Sequence, residues 1–540
     1  MSFEELYESC FRNISLVKCS SDSAKDQPGQ ISTLETAMSS SQYVVFLLAS
    51  SSRGTDVAAR LNSLAKKRNE RDREKPQNSP ARIRRLFSLK KKKKKEIIVD
   101  ETNFMSIVYL DTDQRNDDAP LKVAYPGWYI YVPQSPASKS RLLRALGFEF
   151  PPSIIVVDCN THAVITTEGR RLLVDDPNGA NFPWWPPAVS DLMKGQVVRS
   201  VNGKVETSDY SEIKTAIRGF FFGAYWFPTC RQWVKQLKPV YDALKEANIS
   251  IEIIFCSSDR SLDFFNQFLN QMPWYAFSYD TAKTMGLTRF FNVNGIPSLI
   301  LVDSNNQIIS RHGRSTLLAD SLGKQFPWGP CPLYELDEFS VCRLRDEPSM
   351  VLFTEGSPED IGFSLSVLDG ISKKLFDERQ KIEEQRREDR EKKLEDRENS
   401  ENGNSISKSS SSEECASTTS EVPIPPQADP LQIFYTGEDP ICDHILEKIL
   451  GLGDSELPLI CIIDSLAGQM SICDKPDVSD EVIEEFVNDY KSGKLEWISL
   501  PTPKDGSKTG TGIPASMIED ALANSPSQNS LNNENEPRAV

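Results

Sequence analysis

The chain has 540 residues, of which 39% are hydrophobic and 26% charged, and its formal net charge is −16. At roughly 150 residues per domain, this length predicts about three domains. The net charge argues against nucleic-acid binding by the protein as a whole. No apolar stretch reaches the roughly 20 residues that a membrane-spanning helix needs, so we expect no membrane association.

The cysteines and histidines argue against a disulfide framework and against a metal site. The N-terminus, MSFEELYESC, is acidic and lacks the apolar core of a secretory signal. Eleven cysteines without an export signal indicate reduced, intracellular thiols rather than a disulfide framework. The sequence contains no CxxC pair, and His162, His312 and His444 lie far apart. We therefore expect no metal site and no cofactor.

In chain order, an N-terminal segment (residues 1–39) precedes a first module (residues 40–188) that begins with the apolar strand YVVFLLA. A basic insertion at residues 66–95 interrupts this module, with 15 Lys and Arg residues against three acidic residues. Like charges repel one another, so one interpretation is a solvated loop. The alternatives are a nuclear-import signal at Arg82–Lys95 and a polyanion-binding patch.

The central module (residues 200–333) has the clearest pattern. AIRGFFFGAYW predicts a strand buried at the centre of a sheet. The helix predicted after it, which Pro239 should kink, has one apolar face made of Trp233, Leu237, Val240, Tyr241 and Leu244. ISIEIIFC predicts the next strand, SLDFFNQFLNQ and AKTMGLTRFF predict two helices, and GIPSLILVD pairs with NQIISRHG as a hairpin.

The third module (residues 334–500) contains a second insertion, at residues 377–429. Its charged half, DERQKIEEQRREDREKKLEDREN, predicts a solvated helix with i,i+4 ion pairs; a coiled coil lacks apolar a and d positions after Ile382. The Ser-rich half and the tail at residues 501–540 predict disorder.

The modules are related by an internal repeat. Pro152 and Pro297 lie 145 residues apart, and Gly169 and Gly313 lie 144 apart. Each copy consists of Pro, an apolar strand that ends in Asp, a second strand, Gly, and a helix that closes on Phe-Pro-Trp. A fainter third copy surrounds Pro458. The sequence therefore predicts three tandem α/β modules, each a central mixed sheet flanked by helices.

The motifs GAYWFPTCRQW, EIIFCSSDRS, QMPWYAFSY, GIPSLILVD and FPWGP together resemble the nucleoredoxins, members of the thioredoxin-fold family. The resemblance is specific over residues 200–333, recognisable over 97–188 and weaker over 348–500. It implies three thioredoxin-like modules and protein-disulfide reductase activity. It also implies protein partners, namely redox clients and Dishevelled-type signalling proteins, and a cytoplasmic or nuclear location.

The active-site turn departs from the family pattern. Where nucleoredoxins have Trp-Cys-Pro-Pro-Cys, this chain has Trp226, Phe227, Pro228, Thr229 and Cys230. In a CxxC site the first thiolate attacks the substrate disulfide and the second Cys resolves the mixed disulfide. With a phenylalanine at the attacking position, we expect no dithiol reductase activity from this turn.

The remaining cysteine leaves alternatives open. Cys230 follows a helix N-terminus and precedes Arg231, and both features lower a thiol pKa. It is therefore a candidate catalytic thiol that acts alone, a partner of Cys256 in thiol exchange, or a leftover residue packed under the turn. A peroxiredoxin-type thiol has less support, because that family's motif has Thr three residues before the Cys, where this chain has Phe227.

Ile296-Pro297 resembles the cis-proline dipeptide that faces the active-site turn in thioredoxin folds, and Pro151-Pro152 and Leu457-Pro458 hold the same place in the outer copies. One interpretation is a proline that only shapes its loop. The other is a peptide-docking edge, with Trp226 and Phe227 beside Ile296 in an exposed apolar patch.

The outer modules have no thiol at the corresponding turns, VVFLLASSSRGTD and VLFTEGSPED. The leading hypothesis is therefore a nucleoredoxin-like protein that has lost dithiol chemistry and acts by protein binding. The alternative is a protein-disulfide reductase that uses Cys230 as a single thiol.

Overall fold

The structure is a computed structural model of the chain. It describes residues 3–19, 30–50, 54–74, 103–112, 124–186, 189–291, 293, 295–402 and 429–501. These residues form two compact units, which divide between Pro330 and Cys331. The candidate import signal Arg82–Lys95, the Ser-rich half of the second insertion and the tail beyond residue 501 lie outside the described residues.

The first sheet of the first unit has the strand order β2-β1-β5-β4-β3-β6-β7. Its strands are β1 (Ser15–Lys18), β2 (Gln30–Thr33), β3 (Ser41–Ala49), β4 (Asn103–Asp111), β5 (Tyr129–Tyr131), β6 (Ser153–Asp158) and β7 (Val164–Thr166). The helices of this module are α1 (Phe3–Leu6), α2 (Leu34–Ser39), α3 (Thr55–Glu74), α4 (Pro136–Ala145) and α5 (Gly169–Asp175).

The second sheet has the order β14-β13-β10-β11-β12-β8-β9. Its strands are β8 (Gln196–Val201), β9 (Lys204–Asp209), β10 (Ile217–Gly223), β11 (Ile251–Ser257), β12 (Tyr275–Phe277), β13 (Ser298–Asp303) and β14 (Ile308–Ser310). The helices are α6 (Val189–Leu192), α7 (Pro228–Glu246), α8 (Leu262–Leu269), α9 (Thr281–Phe290) and α10 (Gly313–Ala319).

The two sheets have the same topology. In each, the central strand pairs in parallel with the next long strand and antiparallel with the first strand of the closing hairpin; these are β3 with β4 and β6, and β10 with β11 and β13. An N-terminal hairpin then pairs antiparallel with the far strand of each sheet. The predicted α/β class, with a mixed sheet flanked by helices, is confirmed.

The strand predicted at the centre of the second module is buried along its whole length. Every residue of β10 is buried, because helices cover both faces of the sheet. Its side chains alternate between two apolar clusters, with Phe221 on one face and Phe220 and Phe222 on the other. Helix α7 packs its predicted apolar face on the Phe221 side and runs continuously through Pro239.

The N-terminal segment belongs to the first module, which differs from the division at residue 39. Its strand β1 pairs with β5 and therefore extends the first sheet. Phe3, Tyr7 and Phe11, spaced four residues apart, are buried in the cluster that also contains Phe46 of β3. This spacing is the signal in the sequence that places the segment in the core.

The repeated closing motif has a structural explanation. In the first module, Asp176 accepts hydrogen bonds from the indole Nε1–H of Trp184 (3.1 Å) and from two backbone N–H groups four and five residues further on. Asp320 makes the same three bonds in the second module, with 2.9 Å to Trp328 Nε1. Both Phe-Pro bonds of the motif are cis, and both tryptophans have positive φ.

The second unit contains a six-stranded sheet of order β15-β17-β16-β18-β19-β20. Its strands are β15 (Tyr334–Leu336), β16 (Ser349–Phe353), β17 (Gln432–Thr436), β18 (Leu459–Asp464), β19 (Gln469–Ile472) and β20 (Ile498–Ser499). Its helices are α11 (Pro358–Asn402), α12 (Ile441–Asp443) and α13 (Asp480–Ser492). The central strand β16 again pairs in parallel on one side and antiparallel on the other.

Both insertions begin as helix. The first nine residues of the basic insertion are the end of α3, so the solvated-loop interpretation does not describe this part. The charged half of the second insertion continues α11 to Asn402, so its predicted helical form is confirmed. Leu368, Ile371 and Leu375 are the buried residues through which α11 packs on its sheet.

Candidate functional site

The turn between β10 and α7 forms the N-terminus of the longest helix in the second module. Phe227 is the N-cap residue and Pro228 the first helical residue. The carbonyl of Phe227 accepts the backbone N–H groups of Cys230 (3.1 Å) and Arg231 (3.4 Å). No side chain caps this helix end. The local backbone therefore has the strand–turn–helix form in which a thiol enzyme holds its nucleophile, with an aromatic ring in the nucleophile's place.

Cys230 is buried under the turn. It lies in the apolar cluster that contains Phe221 and Trp233. Burial raises the pKa of its thiol to about 11, and the nearby carboxylate of Asp259 adds to the rise. A backbone hydrogen bond at Ala224 and the charges of Arg314 and Arg231 favour the thiolate, but burial outweighs them. Cys230 therefore has the environment of a neutral, packed thiol.

Cys256 lies on the other face of the sheet from Cys230. Its neighbours belong to the cluster that contains Phe220 and Phe222, whereas Cys230 belongs to the cluster that contains Phe221. Burial raises the pKa of Cys256 as well. The central sheet separates the two sulfurs, so the exchange pair Cys230–Cys256 considered from the sequence is wrong.

Two aromatic rings at the turn differ in exposure. Trp226 is 40% exposed, and its ring lies 5.7 Å from that of Phe227, which is half-buried against the core. The indole Nε1–H of Trp226 donates to the carbonyl of Ser258 at 3.4 Å, and the Arg260 guanidinium lies 5.0 Å from the centre of its ring. The predicted patch is therefore exposed mainly at Trp226.

Ile296 and Pro297 lie at the same end of the sheet as the turn. Phe222 of β10 pairs with Ser298 of β13, so the residues before Ser298 come next to the residues that follow β10. Ile296 is half-buried and packs against the clusters on both faces. No described residue hydrogen-bonds to its backbone. The Ile296–Pro297, Pro151–Pro152 and Leu457–Pro458 bonds are all cis, as the resemblance implies.

Asp259 is a residue of this site that the sequence analysis did not single out. Its buried carboxylate accepts the backbone N–H of Tyr225 (2.7 Å) and the hydroxyl of Ser257 (2.9 Å). Burial raises its pKa, although these hydrogen bonds act in the opposite direction. The signal in the sequence is an Asp two residues after a buried strand, where its side chain reaches the neighbouring turn. The Asp259 carboxylate therefore holds the turn in place through the backbone N–H of Tyr225.

The corresponding turns of the outer modules contain no thiol among their described residues. In the first, Gly54 precedes α3, and residues 51–53 lie outside the described part of the chain. In the third, Ser357 and Asp360 cap α11 reciprocally: the Ser357 hydroxyl donates to the Asp360 carboxylate (2.7 Å) and accepts the Asp360 N–H (3.2 Å). This is an ordinary helix cap.

The described residues contain neither a metal-binding cluster nor a membrane-spanning helix. No group of three or more His, Cys, Asp or Glu side chains that could hold a metal ion occurs among them. None of the helices within the described ranges is long and apolar enough to span a membrane. A cleft of about 530 Å³ lies away from the turn, where Phe150, Arg170 and Val174 of the first module approach Thr288 and Val293 of the second.

Comparison with known proteins assigns the family. A family model described as "Thioredoxin-like" matches residues 216–308, and one described as "Thioredoxin-like, C-terminal domain" matches residues 331–494. A nucleoredoxin from Homo sapiens is 31% identical over 349 residues, which cover 64% of this chain and 69% of that protein. The chain belongs to the nucleoredoxin family.

Another nucleoredoxin and one solved structure are also similar to this chain. The nucleoredoxin of Xenopus laevis is 29% identical over 394 residues, 73% of this chain and 84% of its own. Among solved structures, native tryparedoxin I from Crithidia fasciculata is 31% identical and covers 26% of this chain and 94% of its own, with a TM-score of 0.23. The nucleoredoxin similarity thus extends well beyond a single module.

Proposed function

We propose that this member of the nucleoredoxin family does not catalyse dithiol–disulfide exchange and acts by binding proteins at the turn of its central module. The observation that carries the proposal is the pair of residues at the turn. A phenylalanine stands at the position of the attacking thiol, and Cys230 is buried with its pKa raised to about 11. A neutral thiol beneath the turn is a poor nucleophile, because the thiolate is the reactive form.

The alternative is a protein-disulfide reductase in which Cys230 acts as a single thiol. Membership of the nucleoredoxin family favours it. Cys230 would need to become exposed and lose its proton, and a second thiol would then have to resolve the mixed disulfide. Cys256 cannot resolve it directly, since it lies across the sheet.

An insulin-reduction assay distinguishes the two. We expect no activity above the uncatalysed rate for the native chain and measurable activity for Phe227→Cys, which places a thiol at the N-terminus of α7 beside Cys230. Phe227→Ser serves as the matched control, because it removes the ring without adding a thiol. Native activity that disappears in Cys230→Ser would overturn the proposal and establish the alternative.

The proposed partners are the proteins that the resemblance implies, namely redox clients and Dishevelled-type signalling proteins. The support is the site itself: exposed Trp226, half-buried Ile296 at the same end of the sheet, and a backbone at Ile296 that no described residue pairs with. In the double variant Phe227→Cys/Cys230→Ser, the introduced thiolate attacks a disulfide of a partner that docks here. This gives a mixed disulfide and releases the partner's other sulfur as a thiolate, and no second thiol at the turn resolves the mixed disulfide. Cys230→Ser alone should form none.

We also propose that Arg82–Lys95 is a nuclear-import signal. Its support is the sequence, in which an unbroken run of six lysines follows three arginines. Deleting residues 82–95 should shift a fluorescently tagged chain from the nucleus to the cytoplasm, as measured by microscopy. Deletion of residues 403–416, an equal length of the Ser-rich insertion, is the control. An unchanged nuclear fraction after the deletion of residues 82–95 would show that they are not an import signal.

A further inference from the structure

Exposed apolar side chains continue from the turn onto the neighbouring helix α8. Besides Trp226, Leu262 is 53% exposed and Phe264 is 38% exposed. The ring of Phe264 lies 5.9 Å from that of Tyr225, the residue before Trp226. Arg260 joins the two segments from the other side, since its guanidinium lies over the Trp226 ring. We call Trp226, Arg260, Leu262 and Phe264 the arginine–aromatic patch.

The patch contains a cation that no described acid pairs with. Arg260 is exposed and forms no ion pair with any described residue. Arg231 lies 5.3 Å from the centre of the Tyr225 ring and donates a hydrogen bond to the Tyr225 carbonyl. Of the two nearby acids, Asp259 is buried and bonded to the turn. Asp263 is exposed in the first turn of α8 and forms no ion pair with Arg260. A chain with a net charge of −16 thus presents an unpaired arginine at its exposed aromatic surface.

We propose that the arginine–aromatic patch binds an acidic peptide segment that carries a large apolar side chain. The apolar side chain covers Trp226, Leu262 and Phe264, and a carboxylate next to it pairs with Arg260. The inference rests on the proposed function, because it states the chemistry of the partner that docks at the turn. A protein segment fits better than a nucleic acid, because the patch has three apolar side chains and only one arginine, whereas a strand of phosphates needs a row of cations.

Two features make Arg260 the selective element. Its guanidinium is held over the Trp226 ring, so its position is fixed before a partner arrives and less side-chain entropy is lost on binding. The Asp259 carboxylate next to it faces inward to Tyr225 and Ser257 and leaves Arg260 unneutralised. An acidic side chain of the partner therefore meets an oriented, unpaired cation.

The test uses the purified full-length protein and an array of synthetic 12-residue peptides. Each peptide has a central Leu, Phe or Trp flanked by Glu, by Ser or by Lys. We expect retention of the Glu-flanked series, and fluorescence anisotropy of the best peptide should weaken with increasing salt. Arg260→Glu should reduce its affinity at least 10-fold. Lys238→Glu, the same charge reversal at an exposed position of α7, should leave the affinity unchanged.

A second pair of variants tests the apolar side chains of the arginine–aromatic patch. Leu262→Ser should weaken the best peptide, whereas Val205→Ser, at a 56% exposed position of β9, should not. Circular dichroism and thermal melts confirm that each variant is folded. Retention of the Lys-flanked series, tighter binding of a 20-nucleotide oligo-dT, or equal affinities for Arg260→Glu and Lys238→Glu would overturn the inference.

These outcomes are separable from those of the insulin assay. A native chain that reduces insulin through Cys230 but still binds acidic peptides through Arg260 contradicts the proposed function and supports the patch. A chain that neither reduces insulin nor retains an acidic peptide supports the proposed loss of dithiol chemistry and contradicts the proposed peptide binding at the patch.

Discussion

At residue 227 a phenylalanine ring replaces a nucleophile, while the backbone around it keeps the form of a helix N-terminus. The free N–H groups and the dipole of α7 would stabilise a thiolate at this position. Cys230, one turn further on, is instead packed against Phe221 and Trp233, where the neutral thiol is favoured. The difference between the two positions is therefore one of solvation, and it decides which of them can be reactive.

The alkylation of Cys230 measures this difference. Burial raises its pKa from an ordinary 9.0 to about 11, so its thiolate fraction at pH 8 is about 100-fold lower than that of an unperturbed cysteine. We expect iodoacetamide to modify Cys230 at least that much more slowly than the thiol introduced by Phe227→Cys, as followed by peptide mass spectrometry. The rate at Cys230 should still rise tenfold per pH unit between pH 8 and 10, below its pKa.

The comparison is made within one chain, because the Phe227→Cys variant carries both thiols. Guanidinium-denatured protein is the control and should show similar rates at the two positions. A native Cys230 that reacts as fast as the introduced thiol would contradict the buried, neutral state and favour the single-thiol reductase.

At the scale of elements, the sequence predicts those strands and helices that have a marked apolar pattern. The apolar run of β10 and the spacing of the buried face of α7 identify both elements and their order. The hairpin of β8 and β9 is not predicted from the sequence, because β9 (KVETSD) has no apolar pattern. It is almost fully exposed and is held mainly by backbone pairing with β8. Likewise, no pattern along the chain shows that Cys230 and Cys256 face opposite sides of one sheet, because this depends on how α7 packs.

Helix α11 passes from a buried to an exposed residue between Leu375 and Ile382, and a matched pair of substitutions tests this boundary. Leu375 is 9% exposed and packs in the apolar cluster with Met350 and Phe486, whereas Ile382 is 48% exposed. Leu375→Ala should cost about 2–4 kcal/mol of unfolding free energy, because it leaves a cavity. Ile382→Ala should change it by less than about 0.5 kcal/mol, as exposed substitutions do.

Native-state hydrogen exchange at the amides of β16 reports the unfolding free energy of the third module separately from the other modules. Equal losses for Leu375→Ala and Ile382→Ala would show that the core of this module extends along α11 beyond Leu375. No loss for either would show that α11 does not contribute to the core.

At the scale of the whole molecule, the internal repeat predicts the architecture because it preserves contacts as well as sequence. Asp176 and Asp320 lie 144 residues apart and bond to the indoles of Trp184 and Trp328 in the same way. The Phe-Pro-Trp motif is evident in the sequence, but the role of these carboxylates is not, since their hydrogen-bond partners come close only when the chain folds back. What the repeat does not predict is how the first two modules contact each other, because those residues differ between the copies.

One ion pair joins these two modules, and its contribution can be measured. Arg289, in the last turn of α9, places its Nε 3.4 Å from Oε2 of Glu168, the residue before α5, and the two side chains are only 21% and 11% exposed. Removing either partner leaves a largely buried charge unpaired. A double-mutant cycle of Glu168→Ala and Arg289→Ala should therefore give a coupling energy of about 1–3 kcal/mol.

The exposed pair Arg171 and Asp175 on α5 is the control and should give a coupling energy of about 0.3–0.5 kcal/mol in an equivalent cycle. Hydrogen exchange at the amides of α9 supplies the free energies, and a coupling no greater than that of the exposed pair would show that the contact does not hold the modules together.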